Sequence, residues 1–141
     1  MKPVRAFEAP RIQKPDPPDC VCVNAAGESV AVEVAEVVSE EAARLTAQGN
    51  SVARVWRPGE LIAYVDQLLA DKDRKTYHGG PYAGIAVALF TDEPMLTLQE
   101  ATSELNSASF GPYSQITSAY LLLSYDPYAK SCPVIALAVR R

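Results

Sequence analysis

Asp19-Cys20-Val21-Cys22-Val23-Asn24, then Ala25-Ala26-Gly27-Glu28, then Ser29-Val30-Ala31-Val32-Glu33-Val34-Ala35-Glu36-Val37-Val38, is the stretch on which the fold turns. Two apolar, valine-rich runs flank a short segment of small residues, the pattern of an antiparallel hairpin. Glu33 lies in the middle of the second run, and a carboxylate in an apolar strand is costly to bury without a partner. Asp19 opens the first run. If the turn is the four residues 25–28, Asn24 faces Ser29 and Asp19 faces Val34. A shift of one residue sets Asp19 opposite Glu33, where facing side chains stand roughly 5 Å apart at Cβ. The pattern permits both registers. Two carboxylates gathered by such a hairpin call for a cation, which is how metal-assisted phosphodiester chemistry is commonly built.

Downstream, Ser39 to Gly49 reads as a short helix: Ser39 suits the N-cap, Glu40 and Glu41 suit the positive end of the dipole, and Gly49 suits the stop. Ser51 to Trp56 reads as a brief extended segment. Pro58 then opens a stronger helix running to about Lys75, with Leu61, Ile62, Val65, Leu68 and Leu69 on one face. Gly84 to Thr91 is a continuous apolar strand of the kind covered on both faces. Leu98 to Phe110 reads as a helix, Ala119 to Tyr125 as a buried strand, and Pro133 to Val139 as a last strand pairing back as a hairpin. Strands separated by helices require right-handed crossovers and parallel neighbours. The expected fold class is α/β, a central mixed sheet flanked by helices and opening with a β-hairpin.

With 141 residues, the chain accommodates one domain, expected over residues 19–141, preceded by an extended arm over residues 1–18. Prolines in Lys14-Pro15-Asp16-Pro17-Pro18 hold that arm out of helix. Met1 to Pro18 carries Lys2, Arg5, Arg11 and Lys14 without an apolar centre, unlike a signal peptide. No apolar run approaches the roughly 20 residues of a membrane helix, so a cytoplasmic protein without a membrane partner is expected. The net charge of −4 argues against indiscriminate affinity for nucleic acid. Yet the acidic residues concentrate at Glu28, Glu33, Glu36, Glu40 and Glu41, and basic ones gather elsewhere, notably Lys72, Arg74 and Lys75, and Arg140-Arg141.

Cys20 and Cys22 alternate with valines and read as small buried hydrophobes; with Cys132 and His78 they match no familiar zinc spacing. His78 has no evident serine or cysteine partner and reads as a loop residue. Gly79-Gly80 lacks the lysine spacing and following helix of a phosphate loop. Tyr77, Tyr82 and Trp56 have rings able to stack on bases, although core or rim packing accounts for them as well.

Pro18-Asp19, then Glu33 within an apolar strand, then a crossover helix and a parallel strand, resembles the PD-(D/E)xK nuclease-like (restriction-endonuclease-like) superfamily over roughly residues 15–91. The segments Phe90 to Pro94 and Leu121 to Pro127 also resemble uncharacterised bacterial proteins of that fold. The resemblance implies Asp19 and Glu33 as Mg²⁺ ligands, with a lysine two residues past the glutamate at the attacked phosphate. Here that position is Ala35. Lys72 continues the apolar helix face, following Leu69 by three residues and Leu68 by four, and is the first substitute; Lys75, a turn further, is the second. Glu36 is a third carboxylate, turned away by strand alternation unless a bulge intervenes.

The first expectation is therefore an Mg²⁺-dependent nuclease-like protein acting on nucleic-acid phosphodiesters through Asp19, Glu33, Lys72 and Lys75, with Glu36 as a further metal ligand. The second is a catalytically inactive protein of the same fold that binds a protein partner. A third is a small α/β binding domain unrelated to nucleases. Simpler roles exist for each residue: Asp19 as a strand-entering turn residue, Glu33 on a half-covered face, Lys72 snorkelling from the helix edge.

Overall fold

The structure is a computed structural model that describes residues 8–38, 48–49, 57, 59–92 and 96–141. Its elements run β1 (Glu8–Ile12), β2 (Cys20–Val23), β3 (Ser29–Glu36), α1 (Glu60–Asp73), β4 (Ile85–Phe90), α2 (Leu98–Leu105), β5 (Ile116–Leu122) and β6 (Val134–Leu137). The strands form one open mixed sheet in sequence order, β1-β2-β3-β4-β5-β6. β3, β4 and β5 are mutually parallel, and the outer pairings β1–β2, β2–β3 and β5–β6 are antiparallel. This is the expected α/β class with its opening hairpin. The helix over 39–49 lies outside the described residues apart from the turn at Gln48-Gly49. So do the segment over 51–56 with Trp56, the helix-opening Pro58, and the carboxylates Glu40 and Glu41.

The hairpin turn is one residue tighter than the four-residue reading. Asn24 leaves the strand to cap the loop: its Oδ1 accepts from the N–H groups of Ala26 (3.0 Å) and Glu28 (2.9 Å). Asn24 N–H reaches the Glu28 carbonyl at 3.0 Å, and Gly27 takes φ +80°. That is a three-residue loop, a turn closed by a left-handed glycine, which splays the strands least when the αL site is glycine. Its consequence is the pairing Cys20↔Val32, Val21↔Ala31, Cys22↔Val30, so the next step of the register sets Asp19 opposite Glu33.

Within the expected arm, Glu8–Ile12 adds an edge strand to β2, with an extra residue between Glu8 and Arg11 where Ala9 takes φ +51°. α2 stops at Leu105 rather than reaching Phe110. Asn106 and Ser107 favour helix ends over helix interiors, and Phe110 is instead bridged to Val139, with Arg140 N–H on its carbonyl at 2.8 Å. β5 begins at Ile116, three residues earlier than expected, because Thr117 is absorbed as a bulge between the pairs Ile85↔Ile116 and Ala86↔Ser118.

Two successive crossovers of one hand place both helices over one face of the sheet. Leu61, Val65 and Leu69 of α1 and Ala101 and Leu105 of α2 join Ala31, Val87, Leu89, Ala119 and Leu121 in a single core. Glu33 shares that side by alternation and is 1% exposed. Among the described residues, no helix is long and apolar enough to cross a membrane.

Candidate active site

The sheet's ladder changes character where β2 begins. Instead of continuing as backbone pairs, the two strands exchange carboxylates: Asp19 N–H donates to Glu33 Oε2 (3.1 Å), and Val34 N–H donates to Asp19 Oδ2 (2.8 Å). Each acidic side chain thus satisfies a backbone donor of the other strand. At this end of the ladder the acceptor for each N–H is a charged oxygen rather than a carbonyl, which makes the stronger bond.

Glu33 Oε1 is claimed from the helix layer. Lys72 Nζ lies 3.3 Å away and Lys75 Nζ 3.0 Å away, both delivered by the last turn of α1 and the residues after it. Lys72 is the deeper of the two, its side chain 15% exposed against 42% for Lys75. Both also sit where a helix C-terminus favours positive charge. Asp19 at the entry to β2, Glu33 in β3, and Lys72 and Lys75 at the end of α1 and just past it therefore meet in one cluster of two carboxylates and two ammonium groups.

The electrostatics follow from that pairing. Burial acts to raise the Asp19 carboxyl, but hydrogen bonding with Glu33 and the Val34 N–H, with the charges of Lys72 and Lys75, holds it below its ordinary range. The hydrogen bond to Glu33 raises Lys75 above the ordinary lysine range, against a smaller opposing effect of burial. Ala35 is partly buried on the same side of the sheet as Glu33, and offers nothing chemically. Glu36 is not brought in: it is exposed, pairs with Phe90 in the ladder and lies on the opposite face by alternation. β3 runs through Glu36 in unshifted register with β4, without the bulge that would turn its side chain toward Glu33.

Spacing and composition did not reveal what holds the lysines in place. Asp73, between them in sequence, sends its carboxylate to the start of β5. It accepts from the N–H groups of Ser114 (3.0 Å), Gln115 (2.8 Å) and Ile116 (3.0 Å) and from the Ser114 hydroxyl (3.3 Å). Burial would raise Asp73, and these four donors outweigh it and lower its pKa. Gln115 replies by donating its amide to the carbonyls of Asp73 and, at 2.9 Å, Lys75. Tyr77 Oη donates to the Lys72 carbonyl at 2.6 Å. The C-terminus of α1, where helix carbonyls lack intrahelical donors, is thereby clasped to the sheet. The only advance signal was an aspartate in the last turn, where the helix dipole disfavours it.

His78 is exposed; its N–H donates to the Pro17 carbonyl at 2.9 Å, and its own carbonyl accepts from Tyr82 Oη. Tyr77 and Tyr82 are partly buried against the core. Among the described residues no group of three or more His, Cys, Asp or Glu side chains gathers to hold a metal. A hard cation such as Mg²⁺ commonly takes one or two carboxylates and fills its remaining positions with water; Asp19 and Glu33 are two adjacent carboxylates, with Glu33 Oε1 already accepting from Lys72 and Lys75 and Oε2 from Asp19 N–H. Comparison with protein-family models, with curated proteins and with solved structures gives no match.

Proposed function

We propose that the cluster acts on a phosphodiester with Mg²⁺ held by Asp19 and Glu33, making the protein a nuclease-like hydrolase. The observation carrying this reading is the convergence of Lys72 and Lys75 on Glu33 beside Asp19. It supplies, from the helix, the positive charge that Ala35 does not supply from the strand. Once bound, the ion would neutralise phosphate charge and ready a water for attack. The chain's own share is positional. The strand register holds the two carboxylates together. Lys75, the more exposed ammonium, stands nearest to solvent and is the group that meets the phosphate, while Lys72 balances Glu33 from within.

A second reading, an inactive nuclease-fold protein that binds a protein partner, is favoured by one specific feature. Glu33 Oε1 already accepts from both lysines, so its charge is balanced without metal. Calorimetric titration with Mg²⁺ and Mn²⁺, alongside cleavage assays on DNA and RNA, separates the two. The nuclease reading expects millimolar or tighter binding that is lost in Asp19→Ala. It also expects metal-dependent cleavage reduced about a hundredfold in Lys75→Ala, the scale of losing one preorganised electrostatic contact. Metal binding that is absent, or indifferent to Asp19, leaves the second reading.

A further inference from the structure

Next to the cluster, and sharing Lys75 with it, is a cleft of about 580 Å³ between the loop over 76–84 and the turn at Ser114-Gln115. That volume falls within the range of small-ligand sites, roughly 300–1,000 Å³. On a protein of net charge −4, the charged side chains lining it among the described residues are Lys75 and Arg141, with no carboxylate side chain among them. Two carboxylates that bond to lining residues are committed away from it, Asp73 to the N–H groups of residues 114–116 and Glu33 to the lysines and Asp19. Tyr77 and Tyr82 form aromatic wall, and Thr76 and Ser114 add hydroxyls. Arg141 is held over the cleft through its guanidinium, which donates to the Ser114 carbonyl at 3.4 Å and leaves further donors of its planar fork.

We infer that this cleft binds a nucleotide unit, its phosphate at Arg141 and Lys75 and its base along the tyrosine wall. A paired cationic end and an aromatic side suit phosphate and base together, as in single-strand grooves where stacking and charge share the binding. The carboxylates behind the cleft balance its cations, so recognition rests on placed donors and ring surface more than on long-range attraction. The inference deepens the phosphodiester reading of the adjoining cluster, on which the orientation of the phosphate toward Lys75 rests.

The test is binding in EDTA, so that no cleavage is involved. The probes are a nucleoside 5′-monophosphate, a fluorescent single-stranded oligonucleotide and inorganic phosphate, read by calorimetry, anisotropy and amide shifts. Arg141→Ala is expected to weaken both nucleotide probes about tenfold, the worth of one charge-assisted hydrogen bond, and Arg141→Glu to weaken them further. Amides of Thr76, Gly84 and Gln115 are expected to shift, with Val34 and Leu122 unmoved. Tyr82→Leu is expected to weaken the nucleotides and not phosphate. Free nucleotide binding without the oligonucleotide would assign the cleft to a small ligand. Undiminished nucleotide affinity in folded Arg141→Ala and Arg141→Glu, or phosphate binding as tight as nucleotide, overturns the inference. Arg141-dependent binding in a protein that takes up no metal upholds the cleft and removes the hydrolase.

Discussion

Glu33 carries more of this molecule's character than any other residue. It is 1% exposed and makes bonds to Asp19 N–H, Lys72 and Lys75. Removing one member of a buried ion pair strands the other charge, at about 3–5 kcal/mol. Glu33→Ala is accordingly expected to lower stability to urea by an amount in that range, because Lys72 is left with little solvent. Lys75→Ala is expected to cost well under that, its ammonium being half-exposed and the interaction screened. Equal losses for the two variants would mean that the cluster does not concentrate its energy on Glu33. Of the two cysteines read as buried, Cys22 is buried in β2 and Cys20 only partly so; burial, with Cys22 nearby, pushes the Cys20 thiol up to about 11, away from nucleophilic use.

Among the elements, the last turn of α1 is the one the site depends on. A helix that merely packed through Leu61, Val65 and Leu69 would leave its C-terminus to fray. The reciprocal clasp of Asp73 with residues 114–116, and of Gln115 with the carbonyls at 73 and 75, fixes that terminus against β5. Asp73→Ala is expected to destabilise by about 1–3 kcal/mol, since buried donors lose a charged acceptor. It should also broaden the amide resonances of Lys72 to Lys75 in NMR spectra while β2 and β3 stay sharp. Sharp signals there would show that the helix end holds itself. The apolar face of α1 was legible from the recurrence of Leu61, Val65 and Leu69 at spacings of three and four. The clasp was not, because it joins residues 41 to 43 positions apart through a bulged strand start. The end of α2 was overread for the reverse reason: Ala108 and Phe110 continue an apolar spacing, but they pack from a loop and a bridge.

At the scale of the whole molecule, the shifted groups set a pH window. Asp19 and Asp73 are held below their ordinary value of 3.8, so the stability they contribute is present above that value and is lost as pH falls through their lower, folded values. Lys75 is held above 10.5, so its contribution is present below that value and is lost as pH rises through its higher, folded value. Thermal unfolding followed across pH is expected to show a plateau between these limits and a fall on each side. The acid fall should shrink in Asp73→Asn, and an unchanged acid limb would remove Asp73 from it. By itself, the sequence determined the α/β class with a mixed sheet, the hairpin and the apolar face of α1, because periodicity and turn residues act locally and report burial directly. It also marked Asp19, Glu33, Lys72 and Lys75 as candidates without saying that they meet. That was decided only in the tertiary structure. The three-residue loop closed by Gly27 chose the register that sets Asp19 against Glu33, and the α1–β5 clasp brought two ammonium groups to a carboxylate 39 and 42 residues away. Register and crossover geometry depend on how separate elements pack, and no local pattern contains them.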